Sequence, residues 1–171
     1  QAAVIFALLA GFYFPASAQN VSRQIYLQCL TNFETYAESI WHTNNVGIPD
    51  AGYWGDGGST GNGGIRGNSG IAVAYATLCV ALPDDPKFAT RLARVRQALN
   101  YDAATHVTGS YNTTSGNQWG WSGVSTDWQT PEWSGSMGLA CLLVQSNLPA
   151  ATLDGVRRVV DPHRARRGPR V

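Results

Sequence analysis

The sequence predicts an all-α chain of antiparallel helical hairpins. Three observations carry that prediction. Apolar residues recur three and four apart through 21–42 and again through 86–104, which is helical spacing. Segments 71–82 and 137–144 are apolar on every side, which for a helix means enclosure by other elements. Each is followed by a short proline-containing turn, Pro83-Asp84-Asp85-Pro86 or Asn147-Leu148-Pro149, and then by an amphipathic segment.

Taken in order, 4–14 is an apolar run followed by Pro15 and the small residues Ala16-Ser17-Ala18. That is the hydrophobic region and cleavage site of a secretory leader, and it is short for a membrane span. The expectation is a leader over 1–18 that lacks its basic start, and an exported chain, secreted or periplasmic, beginning near Gln19. A buried N-terminal helix is the alternative reading. The first helix, 21–42, carries Tyr26, Cys29, Leu30, Phe33, Tyr36, Ala37, Ile40 and Trp41 on one face, with Asn20 or Ser22 as N-cap. Glycine crowds 52–70, where helix is costly, so that stretch reads as a loop. Ser69 caps the second helix, 71–82. Asp85 and Pro86 open the third, about 86–104, with Phe88, Leu92, Val95 and Leu99 inward and Lys87, Arg91, Arg94 and Arg96 in water.

A second polar, aromatic loop covers about 105–130. The fourth helix, 132–145, is broken at Pro149. A fifth, 150–160, sets Leu153, Val156 and Val160 opposite Arg157 and Arg158. Beyond it the composition turns to Arg and Pro without apolar period, and 161–171 reads as a basic tail left by truncation or frameshift. Thus a long loop, an enclosed helix, a tight turn and an amphipathic helix follow one another twice, roughly 65 residues apart. Enclosed and amphipathic helices in alternation make an inner and an outer layer, as in part of an (α/α) toroid over 19–160. Both long loops precede inner helices, so both belong at one end, around one mouth.

Composition narrows the function classes. Hydrophobic residues make up 44 % and charged residues 13 % at a net charge of +1, against disorder as the default state. Half of the twelve Lys and Arg residues lie from Arg157 onward, which leaves no basic face for nucleic acid. No membrane attachment is expected once the leader is removed. Cys29, Cys79 and Cys141 lack C-x-x-C spacing, so neither a structural metal nor another cofactor is expected. A Cys79–Cys141 disulfide is conceivable if their helices touch, but buried free thiols are favoured. Nucleotide P-loop, G-x-S-x-G and H-E-x-x-H motifs are absent.

The nineteen glycines and six tryptophans concentrate in 52–70 and 116–135. Trp54, Trp119, Trp121, Trp128 and Trp133 sit in or beside these loops. An indole face matches the C–H face of a pyranose, and glycine permits close backbone approach. About half of these indoles are expected to plug gaps between helices instead, as large aromatics usually do. Asp56, Asn62, Asn117, Gln118, Asp127, Gln129 and Glu132 interleave with them as substrate-binding candidates, the amides being suited to sugar hydroxyls. Glu132 also suits a helix N-terminus, and Asn68 and Ser69 suit caps.

Two reactions fit these groups. In β-elimination from a uronate, Arg66 and Asn68 would neutralise the carboxylate and Tyr53 or His106 would remove the C5 proton. Arg66 has a salt bridge to Asp56 as its alternative role, and His42 and His106 suit helix C-termini. Glycoside hydrolysis would need two carboxyl groups across the scissile bond, drawn from Asp56, Asp127 and Glu132.

The stretches Tyr53-Trp54-Gly55-Asp56-Gly57-Gly58, Asn62-Gly63-Gly64-Ile65-Arg66-Gly67-Asn68, Gln118-Trp119-Gly120 and Trp128-Gln129-Thr130-Pro131-Glu132-Trp133-Ser134-Gly135 resemble the helical domain of secreted polysaccharide lyases of the heparinase II/III-like type. The resemblance covers about 21–160. It implies an incomplete (α/α) toroid followed by β-sheet domains, and cleavage of an acidic polysaccharide by elimination with an Asn or His neutraliser and a Tyr or His base. Asn68 is the matching neutraliser. A toroid glycoside hydrolase and a non-catalytic glycan-binding helical domain are the alternatives. A structural helical protein with every indole in its core is a fourth.

Overall fold

The computed structural model describes residues 16–43, 47–55, 62–111, 121 and 130–161, with the backbone alone at 16–21, 62–64 and 130. Among them are five α-helices: α1 (Ala16–Ser39), α2 (Asn62–Ala81), α3 (Phe88–Thr105), α4 (Thr130–Val144) and α5 (Ala150–Val160). A two-stranded antiparallel hairpin, β1 (Trp41–Thr43) and β2 (Gly52–Trp54), follows α1, and a 3-10 turn, Gln145–Asn147, follows α4. The described residues are therefore mostly helical, in line with the periodicity of the sequence. α2 packs against both α3 and α4, α5 lies on α3 and α4, and α1 borders α2.

Several elements depart from the sequence reading. α2 begins at Asn62, nine residues before the expected start at 71, and takes up half of the glycine block. Glycine costs about 1 kcal/mol in a helix interior, but burial of Ile65 and the hydrogen bonds of the buried Asn68 in that segment offset it. α1 ends at Ser39, because Trp41, His42 and Thr43 pair with Trp54, Tyr53 and Gly52 in a hairpin that helical spacing did not foreshadow. Ile48 and Ala51 in the connection are buried and hold it down. A Cβ at Gly52 would run into the Trp41 ring, so this strand position needs glycine.

α3 opens two residues later than read. Asp85 does mark the turn: its carboxylate accepts the Lys87 N–H at 2.7 Å and its carbonyl accepts the Phe88 N–H at 2.9 Å. Arg91 is not in water. It is 2 % exposed and bonded through Nε and Nη2 to the buried Glu34 of α1, the second contact at 2.9 Å. A carboxylate buried on α1 must find a cation, and Arg91 supplies it. Arg94 does the same for Glu38 at 2.9 Å and lies over the Trp41 ring, 4.5 Å from its centre.

The two apolar helices are not enclosed on every side. Val80 of α2 and Leu139 and Leu142 of α4 are exposed, since no described element covers that flank. In α5 the inward stripe is Thr152, Gly155, Val156 and Val159, with Val160 outside. α1 turns only Ala37 fully inward on its apolar face and leaves Tyr26 and Tyr36 exposed. All three cysteines are free thiols: Cys79 and Cys141 are buried, Cys29 is exposed. No described helix is long and apolar enough to cross a membrane.

Candidate functional site at the loop end of the helices

Asn68, in the first half of α2, is completely buried and joins three elements. Its Oδ1 accepts the Trp54 backbone N–H of β2 at 2.9 Å. Its Nδ2 donates to Asp102 Oδ1 of α3 at 2.8 Å and to the Ala98 carbonyl at 3.3 Å. The Asp102 carbonyl in turn accepts the Trp121 indole N–H at 2.7 Å. Trp121 packs on Trp133 of α4, ring centres 6.1 Å apart, and edge-on to His106 at 4.6 Å. One chain of contacts thus runs from the end of β2 through the start of α2 and the end of α3 to the start of α4. The segments that flank both glycine- and tryptophan-rich stretches meet here.

The electrostatics follow from burial. Asp102 has no exposed surface, and burial pushes its carboxyl up to about 8, against the pull of the Asn68 amide. At neutral pH it is largely protonated. Its Oδ2 has no partner among the described residues, nor do the buried indole nitrogens of Trp54 and Trp133. Burial pushes His106 down to about 4, so its ring is neutral. His106 Nδ1 accepts the Thr108 N–H at 3.2 Å, which places the ring proton on Nε2.

The expected site residues divide accordingly. Trp54, Trp121 and Trp133 are at most 1 % exposed, so these three fill the core and offer no face to a sugar. Trp54 lies between Trp41 and Tyr75, ring centres 4.7 and 4.8 Å away. Asn68 and His106 are likewise too enclosed to touch a substrate; a buried amide that satisfies three partners is a structural tie. On the surface remain Arg66, exposed on α2 and without an ion pair among the described residues, and Glu132, exposed in the first turn of α4 where it complements the helix dipole. Tyr53 is half-buried on Tyr101 at 4.8 Å and stacks on the exposed His42 at 5.2 Å, while His42 Nε2 lies 3.1 Å from the Gly55 carbonyl. Asn62 has its backbone in α2. Asp56, Asn117, Gln118, Trp119, Asp127, Trp128 and Gln129 lie outside the described residues.

Asp102 was missed by sequence reasoning, yet a signal existed. It falls on the same stripe as Val95 and Leu99, and an acid on an apolar stripe marks a buried polar tie. Among the described residues no three His, Cys, Asp or Glu side chains gather as a metal site would require. The chain matches no protein-family model, no curated protein and no solved structure.

Proposed function

We propose that this is an exported polysaccharide-active protein whose helices form part of an (α/α) toroid, and that it cleaves uronate-containing polysaccharide by β-elimination. The observation that carries the reading is the tie running Trp54–Asn68–Asp102–Trp121–Trp133, which gathers the flanks of both loops at one end. The leader-like segment 1–18, with its apolar run 4–14, supports export. Burial of three indoles removes them as sugar platforms and makes them part of the core.

Among the described residues Arg66 and Tyr53 remain to carry the chemistry. Arg66 takes the uronate carboxylate, which acidifies the neighbouring C5–H. Tyr53, as phenolate, takes that proton. The electron pair forms the C4=C5 double bond as the C4–O glycosidic bond breaks, and the departing oxygen takes a proton from the phenol or from water. Asn68, Asp102 and His106 position the strand and helix ends that present these groups.

Incubation with polyuronates tests this through the ultraviolet absorbance of the conjugated, unsaturated uronate product. Tyr53→Phe should abolish that absorbance, and Arg66→Ala should lower the rate at least about tenfold, the worth of one charge-assisted hydrogen bond. New reducing ends without the chromophore would replace the lyase with a toroid glycoside hydrolase. Retention on immobilised polyuronate without cleavage would make the protein a glycan-binding domain, the reading favoured by the burial of Asn68 and His106. A protein that neither binds nor cleaves polyuronate would overturn the proposal.

A further inference from the structure

Beside the tied end of α3, a groove of about 350 Å³ opens between the segment that connects the β-hairpin, the second half of α3, the residues just past α3, and α5. That volume is at the lower end of small-ligand sites and admits a single sugar ring with room to spare. Its floor is made of small residues, Ala103 and Ala104 of α3 and Ala151 and Gly155 of α5. Gly155 keeps the floor closed from below, since a Cβ there would sit 3.0 Å from that of Ala103 and push α5 off α3.

One wall is Tyr111. Its backbone N–H donates to the Ala104 carbonyl at 3.0 Å, and its hydroxyl donates to the Gly47 carbonyl at 2.9 Å. The ring is therefore held at both ends, yet it stays 38 % exposed along the groove. A flat apolar surface fixed before binding loses little entropy when a ring is laid on it.

The charges are unequal. Asp50 lines the groove but its carboxylate is taken by Arg96, at 3.0 Å from Nη2 to Oδ1, and by Asn100. Asn100 Oδ1 accepts the Thr152 hydroxyl at 2.8 Å. Arg158 is exposed at the same groove and makes no ion pair among the described residues. Among the described residues the lining thus carries one unpaired positive charge, planar and forked, beside an aromatic wall and a floor without bulk.

We propose that this groove is a subsite for a ring-bearing carboxylate, a hexuronate residue of an acidic glycan, with Arg158 taking the carboxylate and the Tyr111 ring taking the C–H face. The sugar half of the assignment rests on the function proposed above; the carboxylate half rests on Arg158. The subsite holds polymer beside the reacting end and shares no residue with it.

Calorimetric titration of the full chain with sodium glucuronate, glucose and sodium benzoate tests the assignment. Glucuronate should bind at least about tenfold more tightly than glucose. Arg158→Gln should remove that difference and leave glucose unchanged, and Ala151→Leu, which fills the floor, should abolish binding of both. Both replaced side chains are exposed, so circular dichroism should match the parent and exclude misfolding. Equal affinity for glucuronate and glucose, no binding of glucuronate, or full affinity in Arg158→Gln would overturn the subsite. Benzoate bound in preference to glucuronate would overturn the sugar assignment. Failure of β-elimination with glucuronate binding intact would sink the lyase and leave the subsite standing.

Discussion

Asp102 and His106 lie one helical turn apart, are both enclosed, and are displaced in ways that give opposite responses to pH. His106 titrates at about 4 when folded and near its ordinary 6.5 when unfolded, so between these values the unfolded chain binds the extra proton and stability rises with pH. Asp102 titrates at about 8 when folded and near 3.8 when unfolded. The folded chain then holds the extra proton, and stability falls as pH rises through the same range and on to about 8. The two contributions oppose below about pH 6.5, and above it only the loss from Asp102 remains. Urea midpoints should therefore change little from about pH 4.5 to 6.5 and fall from there to about pH 8. Asp102→Asn keeps the acceptor for the Asn68 amide and has no proton to lose. Its midpoint should rise to about pH 6.5 and then stay level. A parent midpoint that is constant between about pH 6.5 and 8 would mean that Asp102 is ionised in the folded state.

At the scale of elements, α1 is attached chiefly by charge. Burial works to raise the Glu34 pKa, but the Arg91 hydrogen bonds and charge, aided by Lys87, leave it below its ordinary value. Arg91→Ala would leave a carboxylate that is 4 % exposed with only the largely exposed Lys87, 3.5 Å away, at a cost of about 3 kcal/mol. Replacing both partners by leucine should restore most of that, because two apolar groups need no pairing. Urea unfolding of the single and double variants separates the cases, and equal losses in both would show that the pair does more than cancel its own burial. Gly52→Ala should cost about 1–3 kcal/mol by the same assay, through the Trp41 ring that occupies the added methyl's place. These two elements also show what the sequence could and could not reveal. Helix number and the two Pro turns were legible because 3.6-residue periodicity and proline are local signals. The hairpin was not, because each strand is three residues long and its support outside the hairpin comes from Asn68 and Tyr75 of α2, distant in sequence. The burial of Arg91 was hidden for a related reason: its partner is 57 residues away. At the candidate site the clustering of Trp54, Asn68, Trp121 and Trp133 was foreseeable from loop order. Burial of about half of the indoles was expected too, but not which ones, since a glycine-rich neighbourhood says nothing about which way an indole turns.

At the scale of the whole molecule, α4 presents a bare flank among the described residues. Glu132, Gly135, Leu139 and Leu142 fall on a single stripe of α4, and all four are exposed, the two leucines at 47 % and 61 %. Val80 of α2 adds to the exposed apolar surface. In the toroid reading α2 and α4 are successive inner helices, and the side of α4 turned away from α2 is where a further inner helix would stand. For the chain as described, that stripe faces water, and exposed apolar surface of this kind binds hydrophobic dyes and promotes association. Leu139→Lys/Leu142→Lys should cut binding of such a dye by roughly half. Because neither leucine is packed, helicity should be unchanged and stability should shift by no more than about 0.5 kcal/mol. A loss beyond about 2 kcal/mol would show instead that the stripe is covered in solution, since burying a lysine charge is costly. Sedimentation of the parent over a range of concentrations then identifies the cover: a second copy dissociates on dilution, whereas a segment of the same chain does not.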